Sequence, residues 1–164
     1  MIFSLLGLEQ AQAETPFKIK AKYGKIWGKG EGDNEFSMTP GVILALSNMN
    51  KKNGASWSVG YQKLENKVGD SKAEGALYTL SQFDFYFSLF KIPNLYWSIG
   101  IGWDMMGFDD TSKYDHMYTL PVGLVYRLKV WKRYMDISAT GRYIWDNSLE
   151  QDMGFDVALS LPFK

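Results

Sequence analysis

Few residues in this chain have the chemistry for a reaction. There is one histidine, His116, and no cysteine. A single imidazole excludes any site that needs two, and the missing thiols exclude disulfide frameworks, thiolate zinc sites, iron–sulfur ligation and cysteine nucleophiles. A hydrolase built on His116 would need a hydroxyl nucleophile within reach and a third group to orient the ring. Met117 and Tyr118 follow the histidine, so no serine stands two residues on. Asp109, Asp110 and Asp115 are the densest carboxylates, but they lack the spacing and the glycine of a calcium loop. Gly100-x-Gly102 has no helix after it and is no phosphate-binding loop; these glycines are expected to make room for Tyr86 or Tyr96. The sequence therefore predicts no catalytic, cofactor or metal site. Its 18 basic and 18 acidic side chains also argue against nucleic acid, whose binders carry a basic excess.

The elements that must position these residues follow a period of two. Leu95, Trp97, Ile99, Ile101 and Trp103 alternate with small or polar residues, the pattern of a half-buried strand. Met153 to Phe163, Met135 to Trp145, Tyr118 to Leu128 and Phe83 to Leu89 repeat it. Trp57 to Tyr61, Phe36 to Leu46 and Phe17 to Tyr23 complete eight segments. In the Phe36 segment the apolar face is Phe36, Met38, Pro40, Val42, Leu44 and Leu46. Pro40, Pro121 and Pro162 each lack a ladder donor, so their strands should begin, bulge or slip there. Ahead of the strands, Ile2 to Leu8 followed by Ala11-Gln12-Ala13 resembles a secretory leader that lacks its basic start. Residues 1–13 are then a shortened signal peptide and 14–164 a single domain.

Connections alternate in length and charge. The compact ones (Asn48–Ala55, Lys91–Asn94 and Lys129–Arg133) hold six cations and no acid. The longer ones (Gly28–Glu35, Glu65–Gly75, Met105–His116 and Asp146–Asp152) hold twelve acids against four lysines. This is either ordinary solvated loop chemistry or a basic rim on anionic phospholipid opposite acidic loops that reach for divalent cations or a basic partner. Short and long connections in alternation fit an eight-stranded antiparallel up-and-down transmembrane β-barrel. Ten residues at ~3.3 Å, tilted ~45°, rise about 23 Å, close to the ~25 Å apolar band of such barrels.

Alternation alone does not separate this barrel from a lipocalin, whose apolar face lines a cavity. The polar face decides, because a soluble exterior should be rich in Lys and Glu. Here that face is mostly Gly, Ser, Thr and Ala with scattered charge, which suits a cramped interior. The expected interior charges are Lys18, Lys20, Lys22, Arg127 and Arg142 against Asp84, Asp104, Asp136 and Asp156. Arg127, Arg142, Asp136 and Asp156 fall on neighbouring strands and should pair. Trp57, Tyr61, Trp97, Trp103, Tyr118, Tyr126, Tyr143, Trp145 and Phe163 are placed to form two interfacial aromatic girdles.

On strand count, polarity pattern and the final strand Met153–Phe163, the chain resembles the small eight-stranded outer-membrane barrels of Gram-negative bacteria, of the OmpX and OmpA-barrel type. Lys164 after Phe163 departs from the terminal aromatic. The resemblance implies an outer-membrane monomer in contact with bilayer and lipopolysaccharide, inserted by the barrel-assembly machinery through its C-terminal strand. Some such barrels modify lipid A, and the 3-O-deacylases carry a His and a Ser two apart, which His116 does not match. The expected function is a non-enzymatic membrane platform with acidic external loops, for structural, adhesion or defence roles. The alternatives are a small-solute conduit, a lipid A-modifying enzyme and, last, a soluble lipocalin-type binder. The external partner is unnamed by the sequence.

Overall fold

The computed structural model describes residues 17–27, 35–68, 71–89, 92–108, 114–130, 133–146 and 151–163. The leader with its cleavage motif, Asp109, Asp110, Lys91, Lys132 and Lys164 lie outside the described residues. Eight strands follow in order: β1 Phe17–Trp27, β2 Glu35–Met49, β3 Asn53–Val68, β4 Ser71–Ser88, β5 Leu95–Phe108, β6 Tyr114–Val130, β7 Arg133–Asp146 and β8 Gln151–Pro162. Each pairs antiparallel with the next, and β1 pairs with β8 to close the barrel. Closure leaves no sheet edge, a necessity for backbone in hydrocarbon.

Register sets the girth. A path from Phe17 through Leu46, Trp57, Phe83 and Ile101 crosses to Leu120, Tyr143 and Met153. It returns to β1 at Trp27, ten residues above its start. Eight strands with that stagger tilt by roughly 35–45° and leave a lumen only wide enough for side chains.

Three prolines interrupt the ladders. In β2 the pairings with both neighbours carry one extra residue between Met38 and Val42, a bulge at Pro40. Between β5 and β6 the ladder lapses at Gly100 and Ile101 opposite Leu120 and Pro121, without loss of register. Pro162 ends β8. A further bulge lies in β4 between Thr79 and Ser81.

The β2 bulge corrects the face assigned from sequence. An extra residue switches side-chain parity, so Val42, Leu44 and Leu46 face out while Phe36 and Met38 are buried inside. The loop expected at Glu65–Gly75 is also mostly strand: Glu65 pairs Glu74 and Lys67 pairs Lys72, leaving only 69–70 between β3 and β4. Above the apolar band both faces of a strand are polar, so the period vanishes although the backbone still pairs.

Candidate functional site

Outside, the barrel is apolar. Leu120, Val122 and Leu124 on β6, and Phe155, Val157 and Leu159 on β8, are all exposed, while the residues between them point inward. Exposed aliphatic rows around a polar lumen are the arrangement of a membrane-spanning barrel, and the reverse of a lipocalin. All nine aromatics expected at the interfaces face out. Towards the turn end, Phe87 stacks on Trp97 with ring centroids 4.8 Å apart. Towards the opposite end Tyr61 meets Tyr78 at 5.3 Å, and Tyr118 stacks on Trp145 at 6.0 Å. His116 belongs to that second group: it is exposed and its ring lies 5.6 Å from Trp103. Above it the surface turns charged, with Lys25 paired to Glu35 and Lys63 2.6 Å from Glu74.

The nine charges assigned to the lumen all lie on inward positions. Eight of them are buried, Lys20 being half-buried. They form two groups. Nearer the turns, Asp136 takes an ion pair from Lys18 and another from Arg127 at 3.1 Å. Arg127 also donates to the carbonyl of Met49 at 3.3 Å. Nearer the middle, Arg142 pairs with Asp156, lies 3.7 Å from Asp104 and donates to Gln82 at 3.1 Å. Lys22 stands 3.8 Å from Asp156. Gln82 in turn donates to both oxygens of Asp84 at 2.9 Å, and Lys20 faces Asp84 across a small cavity bounded by Tyr86 and Ser138. Charges in a low-dielectric interior persist only when paired and hydrogen-bonded in this manner.

An apolar ring caps these charges at the loop end and a smaller apolar cluster sits beside the turn-end charges, and the reading from sequence lacks both. At the loop end Ile26, Phe36, Met38, Leu64, Leu77, Met117 and Ile144 pack with Met106. They come from β1 to β7 in turn. The eighth strand supplies Gly154, whose missing side chain faces Ile26 and Ile144. The result is a ring of side chains closed across the lumen, with Met38 and Leu64 wholly buried. At the turn end Met49, Tyr86, Tyr96 and Val125 form a second cluster, tied to the β2–β3 turn by the Tyr96 hydroxyl donating to the Asn50 carbonyl at 3.0 Å. Ile26, Met117 and Ile144 continue the inward parity of their strands; Phe36, Met38 and Leu77 lie beyond the two bulges, of which a proline, Pro40, marks only the one in β2.

The glycines of β5 serve neighbours other than those expected. A Cβ at Gly100 would lie 2.4 Å from Asp84 Oδ1 and from the Phe83 carbonyl, and one at Gly102 would lie 2.3 Å from Thr119 Oγ1. They make room for a lumen carboxylate and a hydroxyl, not for Tyr86 or Tyr96. Among the described residues no three metal-ligating side chains converge.

Solved structures with this architecture decide the fold. Neisserial surface protein A matches with a TM-score of 0.54 at 14% identity, over 90% of this chain and 96% of that one. Ail, the attachment invasion locus protein of Yersinia pestis, solved with the heparin analogue sucrose octasulfate, matches with a TM-score of 0.51 at 14% identity, over 88% of this chain and 93% of its own. The chain has the small outer-membrane barrel fold. No family model and no curated protein matches its sequence.

Proposed function

We propose that the protein is a non-enzymatic platform of the bacterial outer membrane, a sealed barrel that holds acidic connections outside the cell for adhesion, defence or structural anchoring. One observation carries this reading: the lumen is occupied by paired charges beneath an apolar ring, so the barrel offers rigidity and no passage. His116 packs on Trp103 at the outer rim, as an interfacial side chain does. The external end is negative, with twelve acids against four lysines over the four connections and their flanks. Such a surface favours a basic partner, or an anionic one bridged by divalent cations such as lipopolysaccharide phosphate. A heparin-like polyanion, as seen on Ail, does not fit it directly.

The test has two arms. Refolded protein in planar bilayers should show no steady conductance; a steady channel would replace the platform by a conduit. Bacteria displaying the barrel should adhere to surfaces coated with a basic peptide. Neutralising the connection acids to amides should abolish that adhesion. Adhesion unchanged by the amides would sink the acidic platform.

A further inference from the structure

We propose that the turn end of the barrel is a docking surface for anionic phospholipid headgroups, held by Lys51, Lys52, Lys129 and Arg133. All four side chains are exposed, and none takes part in an ion pair among the described residues. The β2–β3 turn holds its two lysines on a fixed backbone. The Asn50 side chain accepts from the Lys52 and Asn53 amides at 2.7 and 2.8 Å, and the Asn50 amide donates to the Asn53 carbonyl at 2.8 Å. Across the rim, Val130 pairs with Arg133 at the end of β6 and β7. Lys129 stands three residues beyond Tyr126, roughly 10 Å of strand from the aromatic girdle. That places its ammonium at headgroup depth, within about one Debye length of lipid phosphate.

Charge by itself would suit any soluble polyanion; the apolar tips select lipid. Ile92 is 51% exposed and Val130 47% exposed, both at turn tips of the same end, Val130 paired with Arg133. A soluble polyanion offers nothing to cover them, whereas the boundary between headgroups and acyl chains covers both while the ammonium groups meet phosphate. The described carboxylates outside the lumen crowd the opposite end, at Glu35, Glu65, Glu74, Asp115, Asp146 and Asp152. The barrel is thus polarised along its axis, and only its turn end attracts an anionic leaflet.

The experiment uses the full chain refolded into phosphatidylcholine vesicles containing phosphatidylglycerol, with bromine on the acyl chains of one lipid or the other. Tryptophan quenching should be stronger when phosphatidylglycerol carries the bromine. That excess should fall roughly two- to fivefold for each cation removed, disappear in Lys51→Gln/Lys52→Gln/Lys129→Gln/Arg133→Gln, and shrink as salt rises. Lys25→Gln/Lys63→Gln at the far end should leave it intact. Heat-modifiable gel migration checks that the variants are folded, and the salt series on the wild-type chain stands without them. Equal quenching by both lipids, or an excess that survives the quadruple substitution, overturns the proposal. An excess abolished by free inorganic phosphate but not by chloride at equal ionic strength overturns the lipid source in favour of a phosphate-ion site.

Discussion

Arg142→Ala tests the lumen most directly. Arg142 is 4% exposed and its guanidinium holds three groups: Asp156, Gln82 at 3.1 Å and Asp104 at 3.7 Å. Breaking a buried pair by removing one partner costs ~3–5 kcal/mol, because the stranded charge stays out of water. Asp156 keeps Lys22 at 3.8 Å, whereas Asp104 loses the cation nearest to it, so the lower part of that range applies. About 3 kcal/mol corresponds to roughly two decades in the unfolding equilibrium. Urea unfolding of the refolded barrel in lipid vesicles, followed by tryptophan fluorescence, should show that loss. In Arg142→Ala/Asp104→Asn part of it should be recovered, since the second change neutralises the carboxylate that lost its nearest cation. A single variant within ~1 kcal/mol of wild type would refute the paired-charge lumen, and so would a double variant that loses the full sum. With an apolar ring above this arginine, conductance should stay near zero when it is removed.

Further outcomes follow from other layers. Asp104→Asn should cost less than ~1 kcal/mol in the same unfolding assay, because this carboxylate is 1% exposed and its ion pair is long. Val122→Arg, midway between Tyr118 and Tyr126 on the outward face of β6, should cost ~2–4 kcal/mol as a charge at the bilayer midplane; a silent substitution would contradict an apolar exterior in lipid. Gly100→Ala should cost ~1–3 kcal/mol by forcing β4 and β5 apart at Asp84 and Phe83, read from the urea midpoint. Deleting Pro40 removes the extra residue of β2 and turns Phe36 and Met38 outward; such a barrel should still migrate heat-modifiably but conduct in planar bilayers.

Much of this architecture was legible because one solvent boundary writes one period. In β5 to β8 every second residue meets lipid, and Trp97 to Trp103 or Phe155 to Phe163 can be read without a structure. The lumen charges were legible for the same reason, since Asp84 lies on the turn side of the β4 bulge and Lys18, Arg142 and Asp156 stand on strands without an inserted residue. Phe36 and Met38 were misread because a single added residue reverses parity and leaves the composition unchanged. Leu77 was passed over because the β3–β4 hairpin runs past the membrane into water, where Lys63, Glu65 and Glu74 erase the alternation that marks a strand. The purpose of Gly100 and Gly102 depended on which residues stand opposite on β4 and β6, and register is set by the whole circuit.

The two bulges divide the barrel into separately adjustable parts. Both insertions sit in the upper half, on β2 and β4, either side of β3. Below them the strands keep one phase from the turns upward, and the lipid-facing rows and the charged lumen depend only on that phase. Above them, adding or removing one residue exchanges the inner and outer side chains of a strand tip without disturbing anything lower down. A barrel of this design can exchange its external rim as an interchangeable part on a constant base. Two chains could therefore share a lumen and a membrane band while presenting unrelated surfaces to the outside.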